Sequence, residues 1–125
     1  MSPTADENKS PDELLAEVYR EFREGLAGRV EALRSALERL VSGYDAGAAD
    51  TFYRTAHTLK GTAASFEAGE LVEPAKALAD LGLRWLEGGT LDPLEVDAAF
   101  GHLERLVGAV QRYTERVEGT RSDEP

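Results

Sequence analysis

The sequence predicts an all-α fold: an antiparallel up-down-up-down four-helix bundle with a short additional N-terminal helix. Three observations lead there. Apolar residues recur at steps of three and four along nearly the whole chain, and no strand-like alternation competes with them. Helix-start signals stand at the heads of these stripes, and Gly- or Asp-bearing connections too short for anything but antiparallel neighbours stand between them. A chain of 125 residues is one domain's worth, enough for a single core and too short for two.

Residues 1–9 are polar and are expected to form a disordered N-terminal tail, as are residues 119–125 at the other end; the bundle occupies 10–118. Ser10-Pro11-Asp12-Glu13 is the first start signal, an N-cap serine with proline at the first helical position and glutamate at the third. Leu15, Val18 and Phe22 mark the buried side of the short first helix. Gly25 and Gly28 loosen the chain there, and Leu26, Val30, Leu33, Leu37 and Leu40 form the seam of a second helix that ends near Ser42-Gly43.

A third helix starts at Asp45, a plausible cap, and carries Phe52, Ala56, Leu59, Ala63 and Phe66 inward until Glu67-Ala68-Gly69 closes it. The fourth runs from about Glu70 to Glu87, with Leu71, Ala75, Leu78, Leu81 and Trp85 inward and Gly88-Gly89 as its stop. Pro74 falls in its first turn, where backbone N–H groups lack intrahelical partners anyway. Asp92-Pro93-Leu94-Glu95 opens the fifth, whose stripe is Val96, Phe100, Leu103, Val107, Val110, Tyr113 and Val117.

Charge and composition exclude several functions. Fourteen basic against twenty-four acidic side chains give a net charge of −10, which opposes a phosphate backbone or an anionic membrane surface, so neither nucleic acid nor membrane is expected as a partner. Cysteine is absent, which removes disulfides, thiolate metal sites and a cysteine nucleophile. No segment approaches the ~20 apolar residues of a membrane span, and a cytoplasmic monomer is the expectation.

The residues that carry chemistry lie in AHTLKGTAASF, residues 56–66. A mid-helix glycine costs about 1 kcal/mol relative to alanine, so Gly61 needs a reason other than helix stability. With Ala56 and Leu59 inward, His57 lies about 100° around the helix from Ala56, at the edge of the stripe, accessible to solvent. Lys60, Gly61 and Ala64 follow it at i+3, i+4 and i+7 on the same side. A neutral imidazole is a nucleophile near pH 7, a lysine steadies the charge of an arriving phosphoryl group, and Gly61 with Ala64 leaves room for a partner's backbone.

In this stretch and the helix after it the chain resembles the histidine-containing phosphotransfer domains of two-component phosphorelays. The family pattern is H-x-L-K-G, small residues, an apolar residue, Gly-Ala, then spaced Leu, Ala and Leu. Here it reads His57, Leu59, Lys60, Gly61, Thr62, Ala63, Phe66, Ala68, Leu71, Ala75 and Leu78. The resemblance implies phosphorylation at His57, charge stabilisation by Lys60, and receiver docking around Gly61 and Ala64. It further implies a phosphoryl carrier rather than an enzyme, with no cofactor or metal of its own. A Mg-containing response-regulator receiver and a histidine kinase, hybrid or not, would be its partners. Glu67 stands where the family commonly has glycine, which points to altered capping, and Ala79 with Asp80 next replaces a frequent acid after Leu78.

Other readings fit less well. A sensor kinase's dimerisation helix typically has an acid directly after its histidine, and here Thr58 follows. No nucleotide-binding motif is present. A di-metal bundle needs Glu-x-x-His, but Arg54 and Ala99 stand three residues before His57 and His102; His102 itself reads as a boundary residue. A serine hydrolase lacks its elbow motif. The remaining alternative is a phosphorylation-independent helical interaction module with the motif retained.

Overall fold

The computed structural model describes residues 9–122 and contains four α-helices among them: α1 (Pro11–Ser42), α2 (Ala46–Ser65), α3 (Val72–Gly88) and α4 (Pro93–Ser122), with a 3-10 turn at Gly69–Leu71. Each helix packs on two neighbours, α1 on α2, α2 on α3, α3 on α4 and α4 back on α1, which closes the bundle. Every buried side chain among the described residues is apolar or aromatic, so the core is held by packing, with Trp85, Tyr113, Phe52 and eight leucines at its centre.

Three of the expected starts are in place. Ser10 Oγ accepts from the Glu13 N–H at 3.2 Å, Asp45 accepts from the Gly47 and Ala48 N–H groups at 2.8 and 3.2 Å, and Asp92 accepts from the Leu94 N–H at 2.9 Å. α3 ends at Gly89, in the left-handed conformation (φ 65°) with its N–H bonded to the Trp85 carbonyl.

α1 differs from expectation. The short first helix and the second are one continuous 32-residue helix, and Gly25 and Gly28 lie in its interior. Phe22, Leu26, Val30, Leu33, Leu37 and Leu40 are all buried in one unbroken register, so packing along that stripe outweighs about 1 kcal/mol of propensity lost at each glycine. Leu15 and Val18 are exposed rather than buried. At ~1.5 Å per residue the first three turns of α1 run on past the aromatic contacts of Phe22 with Phe66, just beyond the end of α2, and with Tyr113 of α4. There α2 and α3 offer nothing for Leu15 and Val18 to pack on.

α4 also departs from the expected stripe. Ala99, Leu103, Leu106, Ala109 and Tyr113 form its buried face, Val96, Val107, Val110 and Val117 pack at the margin, and Phe100 is exposed. The alanines let α4 sit close to the bundle, and the larger residues flank them. Residues 119–122, expected in the tail, are the last residues of α4. Of the two expected tails, residues 1–8 and 123–125 lie outside the described residues.

Candidate functional site

α2 sets the geometry of the site. Phe52, Ala56, Leu59 and Ala63 are fully buried, which fixes the rotation of the helix and turns His57 out to solvent. Lys60 is half-buried, and Gly61 and Ala64 are exposed on the same side, one and two turns beyond. The structure thus brings the four sequence-predicted residues onto one helical strip, His57 in mid-helix and away from the fraying ends.

Gly61 has no packing role. A Cβ built on it meets nothing within 4 Å, so no neighbouring helix asks for glycine there. Lys60 makes no ion pair among the described residues, whereas Arg54 of the same helix pairs with Asp50 at 2.9 Å, and on α3 Lys76 pairs with Asp80 at 3.1 Å and Arg84 with Glu95 at 2.6 Å. The ammonium one turn from the imidazole is thus not tied to a carboxylate among the described residues. On the side facing α1, Arg29 Nη1 donates to Thr62 Oγ1 at 3.2 Å, and Thr62 in turn donates to the Thr58 carbonyl at 3.0 Å. Arg29, Arg54, Thr55 and Thr58 border a shallow cleft there.

Two residues of the site carry no mark in the motif. Tyr53, at i−4, stacks its ring on that of His57, with centroids 5.5 Å apart and planes 24° off parallel. Gly82 of α3 lies directly beneath Tyr53: a Cβ on it would stand 2.9 Å from Tyr53 Cα, 3.0 Å from Tyr53 Cβ and 3.1 Å from Phe52 Cδ1. Only glycine lets α3 approach α2 so closely. The spacing of Tyr53 from His57 was readable in the sequence; the need for Gly82 was not, since it depends on which residue faces it.

The end of α2 explains Glu67. Its φ of 57° is the one positive φ at a non-glycine among the described residues. Phe66 is the C-cap, and the Ala68 N–H bonds back to the Ala63 carbonyl at 2.9 Å, the six-to-one bond of a Schellman motif with Glu67 at the left-handed position. Arg116 of α4 holds the turn, donating to the Glu67 carbonyl at 3.0 Å and to both Glu70 carboxylate oxygens at 3.2 and 3.0 Å. That bidentate bond from Arg116 holds the Glu70 carboxyl below its usual range. The departure from glycine is therefore one of capping, nearly three turns from His57.

His102 stands apart, on α4, half-buried, with Nδ1 2.9 Å from Arg105 Nη2. Burial and the Arg105 charge lower its pKa. No cluster of three His, Cys, Asp or Glu side chains suited to a metal ion occurs among the described residues, and no described helix is long and apolar enough to cross a membrane.

No curated protein and no solved structure matches the chain. A family model, described as Hpt domain, matches residues 17–115, a span that runs from the third residue before Arg20 in α1 to the penultimate turns of α4 and includes the whole α2 strip. A match over most of the chain, on a four-helix bundle of this kind, places the protein among the Hpt domains, the phosphocarrier modules of two-component histidine phosphotransfer.

Proposed function

We propose that the chain shuttles a phosphoryl group between a histidine kinase or receiver-domain aspartate and a response-regulator receiver, with His57 as the carrier. The observation that supports this most is the pairing of an exposed mid-helix imidazole with the unpaired Lys60 one turn on. In the forward step a neutral imidazole nitrogen attacks the phosphorus of a phospho-aspartyl group. The N–P bond forms, the P–O bond breaks, the carboxylate leaves with its electron pair, and the other ring nitrogen can release its proton to solvent. The reverse step passes the group to the next aspartate. Charge on the phosphoryl oxygens is highest during transfer, and Lys60 stands where a cation offsets it. The receiver supplies the Mg²⁺ and the acidic pocket.

Gly61 and Ala64 form the docking surface in this reading. A receiver must bring its aspartate pocket within bonding distance of a side chain that projects only a few ångströms from the helix. The bare surface beside His57 lets a loop backbone come down to it. The exposed Gly61, with open space around its Cα, suits that use.

Incubation with a phosphorylated receiver tests the proposal. The parent should take an acid-labile, base-stable label, as a phosphoramidate does; His57→Gln should take none while keeping its helical content, and His102→Gln should label normally. Lys60→Met keeps the aliphatic stem that is half-buried and removes only the charge. It should slow transfer severalfold or more while changing stability by less than about 0.5 kcal/mol. Label retained by His57→Gln would reassign the carrier, and a parent that binds receiver without ever being labelled would make the chain an interaction module.

A further inference from the structure

We propose that Tyr53 is a positioning residue for His57, a platform that holds the imidazole edge-on to an incoming phosphoryl group; this rests on the carrier role assigned to His57 above. The His57 ring is exposed and makes no hydrogen bond among the described residues. An exposed side chain of that kind changes rotamer on the picosecond-to-nanosecond scale, and the second torsion of histidine is broad. In-line attack needs one ring nitrogen aimed at phosphorus, so a freely turning imidazole spends much of its time aimed elsewhere. The Tyr53 ring, 5.5 Å away and 24° from parallel, is the contact that selects an orientation. Stacking on one face leaves the ring edge, where both nitrogens lie, open to a partner.

α3 supplies no substitute. Its helix runs antiparallel to α2, so one turn from Tyr53 toward His57 on α2 corresponds to one turn from Gly82 back toward Ala79 on α3. Ala79 and Gly82 are both buried and neither has a side-chain donor or acceptor. Neither residue can hydrogen-bond the imidazole, and stacking on Tyr53 takes that place. Gly82 serves the platform directly, because the missing side chain there leaves the Tyr53 Cα and Cβ seated against α3, at the base from which the tyrosine ring rises. The Tyr53 hydroxyl makes no hydrogen bond among the described residues, so the ring face and not the hydroxyl is the part in use.

Single-turnover transfer from a phosphorylated receiver to the full chain, over a range of receiver concentrations, separates positioning from docking. Tyr53→Leu keeps an apolar group of useful size without a π face; its transfer rate constant at saturating receiver should fall about two- to tenfold, the range that the strength of an aromatic pair allows. The half-saturating receiver concentration should stay unchanged. Tyr53→Phe should restore the rate to within about a factor of two of the parent. Ring-current shifts of the His57 carbon-bound protons, seen by NMR in the unphosphorylated protein, should persist in the Phe variant and vanish in the Leu variant. Three results would overturn the inference: a parental rate constant in Tyr53→Leu, a Phe variant as slow as the Leu variant, or a changed half-saturation with an unchanged rate constant. A parent that takes no label at His57 would overturn the carrier role and this one with it, and the NMR shifts would show whether the stack itself exists.

Discussion

Gly61 and Gly82 make a matched pair for testing how this bundle uses glycine. Both sit inside helices, so replacing either by alanine gains about 1 kcal/mol of helix propensity. At Gly61 nothing opposes the gain, because the new methyl meets no atom within 4 Å; Gly61→Ala should stabilise by about 0.5–1 kcal/mol. At Gly82 the methyl would stand 2.9 Å from Tyr53 Cα, some 0.6 Å short of the ~3.5 Å at which carbon atoms rest against each other. Two of the three close atoms belong to the α2 backbone or its first side-chain carbon, so they cannot swing away, and α2 and α3 must separate. Overpacking of this kind costs typically 1–3 kcal/mol. Set against the propensity gain, Gly82→Ala should be destabilised by about 1 kcal/mol, and the two variants should differ by about 2 kcal/mol. In a domain of this size that is roughly 8 °C in thermal midpoint. Urea titration followed by circular dichroism reads both. Gly82→Ala equal to or above the parent in stability would refute the argument, showing that the helices part freely and that the close approach constrains nothing. Function should sort the same pair differently: Gly61→Leu, stable and folded, should nearly stop transfer if a receiver loop passes over that turn, and a parental rate would move the docking surface elsewhere.

Two further outcomes follow from particular residues. Glu67→Gly relieves a left-handed residue that costs an L side chain roughly 1 kcal/mol or more, and should stabilise by about 0.5–1 kcal/mol after the added freedom of the unfolded chain is counted; a neutral or destabilised variant in urea titration would show that Arg116 and the Schellman bonds already absorb the strain. The pKa of His102, lowered by burial and then by Arg105, lies in the folded state below the value of about 6.5 expected when unfolded. Under acid the unfolded chain binds the proton first, so this residue lowers stability as pH falls through that range. His102→Gln should therefore lose less stability than the parent between pH 7.5 and 5.5, and identical losses would rule out the contribution.

Much of the fold was legible because helix ends and stripes are local. Ser10, Asp45 and Asp92 announce three starts, and every inward residue predicted for the segments around α3 and the second half of α1 is buried. What was missed depends on the neighbours. Gly25 and Gly28 suggested a break, yet the stripe Phe22, Leu26, Val30 crosses them without a phase change, and that continuity was the stronger signal. Periodicity likewise says that Leu15 and Val18 share a face, but not that α2 ends before reaching them. In α4 the large residues drew attention to Val96 and Phe100, while the close contact is made by Ala99 and Ala109, whose small size is what brings the helix in.

The same contrast runs through the site. His57, Lys60, Gly61 and Ala64 could be placed on one side of a helix from spacing alone, because i, i+3, i+4 and i+7 share a side on any α-helix. Their surroundings could not. In an acidic chain, the expectation for any surface lysine is an acid within reach, as Asp50, Asp80 and Glu95 are for Arg54, Lys76 and Arg84. Lys60 forms no such pair among the described residues, and that matters more than its position. A cation already paired would have to give up its carboxylate before it could face a phosphoryl group; the half-buried Lys60, with no ion pair among the described residues, would meet no such cost in the proposed transfer. The long-range field of a −10 chain opposes an acidic receiver only weakly beyond about 8 Å at physiological salt. In the proposed reading the local arrangement decides at contact: one imidazole stacked on a tyrosine face, one ammonium without an ion pair among the described residues, and a bare glycine turn over which a partner's loop would pass.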